Sequence, residues 1–135
     1  MEILNPATGA MIQEIETDNA DSLNEKYIMA FDAQKLWKDV PLIERIKIIS
    51  KFDLLLDKQA DELAKIMTLE MGKPLKEAYS EINAVHARIS FFIEHSEHWL
   101  EPKVVNDDET TKDVLSFPPL GVIGNISAWN FPLFV

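Results

Sequence analysis

The stretch from Phe117 to Val135 carries no charged side chain and constrains the fold more than any other part of the sequence. Within it, Gly121 to Ile126 is a mostly apolar run of strand length, the pattern of a strand covered on both faces in a parallel sheet. Such a strand needs a neighbour reached through a crossover connection, and no second run of this kind occurs in the chain. We therefore expect residues 119–135 to hold the first core strand of a larger sheet, in a truncated chain.

The same uncharged stretch is a poor candidate for a membrane span. Its prolines, glycines and asparagines would leave backbone and side-chain polar groups unpaired in lipid, so we expect it to be buried in protein. The first residues, Met1 to Pro6, lack the basic start and apolar core of a secretory signal, which favours the cytoplasm.

Residues 1–102 are predicted to form a hairpin followed by four helices. The hairpin runs from Ile3 to Glu16 around a turn in which Gly9 can take positive φ. Thr17 or Asp18 can cap the first helix, because their side chains accept hydrogen bonds from the first helical amides. Apolar residues then recur at intervals of three and four, as in helices that bury one stripe.

Proline and glycine mark the limits of the later helices. Pro41 suits the first turn of the second helix, and Gly72 can end the third in the left-handed conformation. Pro74 opens the fourth and longest helix, which runs to Pro102. Its predicted buried side consists of Leu75, Ala78, Ile82, Val85, Ile89, Phe92, Ser96 and Trp99.

A second hairpin is predicted over residues 103–118. Two β-prone runs, Lys103 to Val105 and Asp113 to Phe117, flank the polar turn cluster that begins at Asn106. The exposed edges of an isolated hairpin would suit pairing with another chain or with a distant segment.

The composition excludes several function classes. Acidic residues outnumber basic ones by 23 to 13, for a net charge of -10, and the basic residues are scattered, so nucleic acid is not expected as a partner. The chain has no cysteine, which excludes disulfides and thiolate metal ligands.

Three local patterns could carry chemistry but have simpler explanations. His95 and His98 lie three apart on a helix, yet two histidines without a third convergent ligand are usually surface residues, so no metal is expected. The glycine of Glu70 to Pro74 acts as a helix stop rather than a phosphate loop, so Lys73 is given no catalytic role. Glu77 and Glu81 fit a solvated acidic face near a helix N-terminus.

Trp129 and Asn130 leave two interpretations open. Ligands bind beyond the carboxyl ends of strands in parallel sheets, and the Asn130 amide is a neutral donor that could stabilise an oxyanion. Asparagine before a turn is also common without any function, and the local sequence alone favours that explanation.

The order of several short motifs changes this balance. The whole chain resembles the N-terminal portion of the aldehyde dehydrogenase superfamily. The matching residues are, in chain order, Asn5-Pro6-Ala7-Thr8-Gly9, Trp37 with Arg45, Glu70-Met71-Gly72-Lys73-Pro74 with Glu77-Ala78 and Glu81, Pro119-Leu120-Gly121-Val122, and Trp129-Asn130-Phe131-Pro132-Leu133.

The resemblance implies an α/β fold: a doubly wound cofactor domain, with its N-terminal hairpin and helices in residues 1–102, an oligomerisation hairpin in residues 103–118, and the start of the active-site loop within residues 119–135. It implies that Asn130 is the oxyanion-stabilising asparagine and that Ile126, Ser127 and Trp129 line the site for NAD or NADP. Ala128 departs from the proline that many members have there, which should loosen the backbone slightly.

The resemblance also implies an aldehyde substrate, a homo-oligomer (a dimer or a tetramer) and a nucleophilic cysteine. Since this chain has no cysteine, we expect these residues alone to be inactive. Glu70 to Pro74 and Phe91 to His95 look most like semialdehyde dehydrogenases, particularly the succinate-semialdehyde enzymes. The alternative is a non-catalytic helical binding or assembly module.

Overall fold

Two β-hairpins flank four helices in the computed structural model, which describes all residues from Met1 to Val135. The elements are, in order, β1 (Glu2–Leu4), β2 (Met11–Glu14), α1 (Ala20–Trp37), α2 (Leu42–Lys58), α3 (Ala60–Met71), α4 (Leu75–Leu100), β3 (Lys103–Asp107) and β4 (Lys112–Leu115). Both predicted hairpins and all four predicted helices are present. None of the helices is long and apolar enough to cross a membrane.

The first hairpin pairs β1 with β2 in antiparallel register, with Glu2 opposite Glu14. The Asn5 side-chain oxygen accepts hydrogen bonds from the amides of Ala7 and Thr8 at 2.9 and 3.3 Å. Gly9 completes the turn at φ +70°, as the sequence predicted.

The N-terminus of α1 differs from the sequence prediction, because Asn19 caps it rather than Thr17 or Asp18. The Asn19 side chain accepts from the amides of Asp21 and Ser22 at 2.9 and 3.0 Å. Asp18 instead pairs with Lys26 at 2.6 Å. Asn19 has the extended backbone conformation that directs its side chain at the first-turn amides, and so it takes the cap.

The core lies between α3 and the first half of α4. Its centre consists of Ala64 and Met67 on α3 and Ala78 and Ile82 on α4, with Leu133 packed against it. The two alanines are fully buried, so their small side chains let the helices approach closely. Gly72 ends α3 at φ +72°, as predicted, and so makes the tight turn into α4 possible.

The predicted helical stripes are only partly buried. Val85 is buried on α4, but Phe92 and Trp99 further along the same stripe are exposed, and α1 has no buried residue. The accessible surface is 10826 Å², whereas a compact protein of this mass would expose about 7,200 Å². Large apolar faces of this chain are therefore open to further contacts.

The strand predicted over Gly121 to Ile126 does not form within this chain, and its place in a larger sheet stays a prediction. The segment is irregular, and both sheets are two-stranded antiparallel hairpins. A strand exists only through hydrogen bonds to a neighbouring strand, and no strand of this chain pairs with residues 121–126. No doubly wound sheet is therefore present within these residues.

The second hairpin is closed by the Asp108 carboxylate. Its oxygens accept hydrogen bonds from the amides of Thr110 and Thr111, both at 2.9 Å, and from the Asn106 side chain at 3.0 Å. These donors stabilise the ionised form, chiefly the Thr110 amide and the Asn106 side chain, and hold the pKa of Asp108 well below its usual range.

Replacing Gly72 with alanine should destabilise the chain by about 1–2 kcal/mol, the cost of the left-handed conformation for a residue with a Cβ. The new Cβ would also lie 3.3 Å from Pro6 Cγ. Gly124→Ala is the control, since Gly124 has no positive φ and open space around it. Thermal unfolding followed by circular dichroism measures both variants, and equal midpoints would contradict this account of Gly72.

The β3–β4 turn should lose stability as the pH falls below the ordinary pKa of an aspartate, because the folded pKa of Asp108 is lowered. A carboxyl group with a depressed folded pKa stabilises the folded turn above its unfolded pKa, and this contribution disappears as the pH falls through the folded value. In an NMR titration, the Thr110 and Thr111 amide shifts should therefore move at a pH below the ordinary aspartate range. Asp108→Asn should abolish that transition, and a midpoint near pH 4, the ordinary aspartate value, would refute the assignment.

Candidate active-site segment

Residues Asn130 to Phe134 dock onto the turn between α3 and α4. The Lys73 ammonium donates to the Asn130 carbonyl oxygen at 2.8 Å and lies 4.1 Å from the centre of the Phe131 ring. The Glu81 carboxylate accepts hydrogen bonds from the amides of Leu133 and Phe134 at 2.9 and 3.2 Å. The segment is thus held at the backbone carbonyl of Asn130 and at the backbone amides of Leu133 and Phe134.

The docked segment contains the beginning of a helical turn. The Val135 amide donates to the Phe131 carbonyl at 3.1 Å, and Pro132 lies within this turn, where its missing N–H costs nothing. The amides of Leu133 and Phe134 have no partner within such a turn. Glu81 supplies that partner from α4, and its negative charge suits the N-terminal end of a helical turn.

Lys73 and Glu81 also pair directly, through Lys73 Nζ and Glu81 Oε2. Their side chains are 11% and 1% exposed, so the pair is screened little by solvent. One Glu81 oxygen therefore binds Lys73, and the other binds the two amides of the docked segment.

The sequence prediction for Glu81 is wrong, whereas its neighbour Glu77 is exposed as expected. Glu81 can be buried because Lys73 and two backbone amides satisfy its carboxylate. These partners lie 8, 52 and 53 residues away in the chain, beyond the reach of local pattern analysis. One signal was present: Glu81 lies three residues after Ala78 and four before Val85, within the buried stripe of α4. Lys73, which the sequence placed only after a helix stop, likewise binds Glu81 and the Asn130 carbonyl.

The predicted site residues occupy the docked segment and the irregular chain before it. Asn130 is held through its backbone, and its side chain is exposed. Ile126 and Trp129 are 100% and 78% exposed, and Ser127 is exposed as well. The structure brings Asn130 to Lys73 but gives the other three residues no partner.

The histidines take part in other contacts. His95 Nδ1 lies 2.8 Å from the Phe91 carbonyl oxygen, and its ring stacks on Trp99. His86 Nδ1 lies 2.6 Å from an Asp53 carboxylate oxygen. No group of three or more potential metal-ligating side chains converges in the chain.

Comparison with known proteins decides the family. The model of the aldehyde dehydrogenase family matches residues 1–135, the whole chain. The chain belongs to this family. The resemblance inferred from the ordered motifs is therefore confirmed.

Relatives within the aldehyde dehydrogenase family include semialdehyde enzymes. Malonate-semialdehyde dehydrogenase 2 of Oceanobacillus iheyensis is 31% identical over 99% of this chain and 28% of its own length. Succinate-semialdehyde dehydrogenase [NADP(+)] of Deinococcus radiodurans is 34% identical over 97% of this chain and 27% of its own length. The chain thus spans little more than a quarter of these relatives.

A solved structure described as an E. coli NADP-dependent enzyme superposes on 98% of this chain with a TM-score of 0.91, at 29% identity, and the match covers 28% of that protein. The arrangement of helices and hairpins is therefore that of the corresponding part of this enzyme.

Glu81→Ala should release the docked segment. The change removes a charged acceptor from two partly buried amides, and hydrogen bonds to charged groups contribute roughly 1.5–3 kcal/mol. Hydrogen exchange at the Leu133 and Phe134 amides should accelerate by about tenfold or more. Glu44→Ala removes an exposed carboxylate paired with Lys47 and serves as the control. Unaltered exchange at Leu133 in the Glu81 variant would show that the carboxylate does not hold the segment.

Proposed function

We propose that this chain forms the N-terminal part of an NAD(P)-dependent aldehyde dehydrogenase, which oxidises an aldehyde to a carboxylic acid. The observation that carries the proposal is the anchored Asn130 segment within a chain that matches the family from end to end. The exposed apolar faces support it too, because the remaining length of such an enzyme would cover them.

Asn130 donates its side-chain amide to the aldehyde oxygen in this proposal. As a thiolate attacks the carbonyl carbon, negative charge grows on that oxygen, and a donor fixed in advance stabilises the charge without reorganising. An amide suits the task because it is neutral and keeps its donor hydrogens at any physiological pH. The thiolate comes from another segment, since this chain has no cysteine.

Ile126, Ser127 and Trp129 line the dinucleotide site in this proposal. Ile126 and Trp129 present large exposed apolar surfaces, which fit the flat rings of a dinucleotide, and Ser127 adds an exposed hydroxyl. When bound, NAD or NADP accepts the hydride that leaves the substrate carbon. The residues of this chain would orient the cofactor and keep water away from it.

A semialdehyde, and succinate semialdehyde in particular, is the proposed substrate. Relatives from several organisms carry the names malonate- or succinate-semialdehyde dehydrogenase, and some of those names specify NADP(+). Such substrates carry an aldehyde at one end and a carboxylate at the other. A group that pairs with this carboxylate would select semialdehydes over simple aldehydes.

The β3–β4 hairpin is proposed to mediate homo-oligomerisation. Its strands are exposed along their whole length, including Val104, Val105 and Val114. The outer edge of each strand presents unpaired backbone groups, which can pair with a strand of another subunit.

Asn130→Ala in the complete enzyme tests the central assignment. Loss of one oxyanion donor should lower kcat by roughly 100-fold or more, while the KM for the cofactor changes little. Asn24→Ala, at an exposed position on α1, is the matched control. Steady-state kinetics measure both, with circular dichroism to verify folding. Unchanged turnover would remove Asn130 from the reaction, whereas a complete wild-type protein without aldehyde-dependent turnover would favour the alternative of a non-catalytic module.

A further inference from the structure

Lys73 extends from one of the most constrained turns in the chain. Gly72 precedes it in the left-handed conformation, and Pro74 follows it at the N-cap of α4 with φ −55°. Both neighbours restrict the backbone, since few residues tolerate the first conformation and proline fixes φ in the second. The Lys73 side chain therefore starts from a position set by two packed helices.

The ammonium of Lys73 has two polar partners, and both belong to the active-site segment or its anchor. It donates to Glu81 and to the Asn130 carbonyl, and it lies over the Phe131 ring. Glu81 in turn holds Leu133 and Phe134. Residues on both sides of Pro132 are thus clamped to one buried ion pair.

A buried ion pair is an inefficient way to gain stability. Desolvation of the two charges offsets much of their attraction, and apolar replacements of similar volume are often equally stable. The pair does provide directional hydrogen bonds, because each charged group holds its hydrogen-bond partners at defined positions. The partners fixed here are the backbone groups of Asn130, Leu133 and Phe134.

We propose that the Lys73–Glu81 pair is a positioning device that sets the orientation of the Asn130 side chain for catalysis. The proposal rests on the proposed oxyanion role of Asn130. Lys73 touches the Asn130 backbone and not the reacting atoms, so it acts through Asn130. Displacing a catalytic group by about 1 Å can lower a rate by roughly 100-fold, so such an anchor has a measurable effect.

The first experiment examines the anchor alone, in the 135-residue chain. Lys73→Met removes the charge and keeps most of the side-chain volume. NMR of the ¹⁵N-labelled chain should then show changed resonances for the Asn130 side-chain amide and faster exchange at Leu133. Lys47→Met, which removes the lysine of an exposed pair, is the matched control. Identical Asn130 and Leu133 signals in the wild type and the Lys73 variant would overturn the proposal.

The second experiment is a double-mutant cycle in the complete enzyme, with rates normalised to titrated active sites. We expect Lys73→Met to lower kcat by roughly 10- to 100-fold, with less than about threefold change in the KM for the cofactor. Combined with Asn130→Ala, it should cause no further loss, because an anchor for Asn130 is redundant once the amide is gone. A purely structural role predicts multiplied losses, which would contradict the proposal.

Glu81→Gln keeps the proposal testable if the Lys73 variant fails to fold. Glutamine retains an oxygen for the Leu133 and Phe134 amides but loses the charge that pairs with Lys73. It should also reduce kcat, and again not in the Asn130→Ala background. Full activity of this variant would refute the anchor, whereas full activity of Asn130→Ala itself would refute the proposed oxyanion role of Asn130.

Discussion

The candidate site depends on the ion pair and the hydrogen bonds of the Glu81 carboxylate. A carboxylate that is almost fully buried must have its charge compensated, and here the compensation comes from Lys73 and from two amides of the distant segment. The same contacts that satisfy the carboxylate therefore hold Asn130 against the helices. Without the segment, both the carboxylate and the Lys73 ammonium would lose partners.

The anchor and the core form one unit. Ala64 and Ala78 allow α3 and α4 to pack closely, Gly72 makes the turn between them, and Leu133 of the docked segment covers the result. A change in the helix packing would therefore move Lys73, and with it the Asn130 backbone. The oxyanion donor of the proposed enzyme is in this way supported by the best-buried part of the chain.

Features determined by neighbouring residues were predictable from the sequence. The left-handed Gly72, the proline at the start of α4 and the two hairpin turns depend only on local backbone chemistry. The buried state of Glu81 depends on residues about fifty positions away, whereas its place near a helix N-terminus predicted an exposed acid. The cap of α1 was misplaced by one residue, since Asp18 and Asn19 are both good caps and only geometry separates them.

The missing strand and the docked turn differ in what they require. A strand over Gly121 to Ile126 needs a row of backbone partners, and no segment of the 135 residues pairs with it, so it stays irregular. The turn at Asn130 needs a carboxylate and an ammonium group. Glu81 on α4 supplies the carboxylate, and Lys73 in the turn before α4 supplies the ammonium group. The position of the Asn130 backbone is thus encoded by the helices, independently of the sheet. In the proposed complete dehydrogenase, the sheet would then form against a segment whose anchor is already in place.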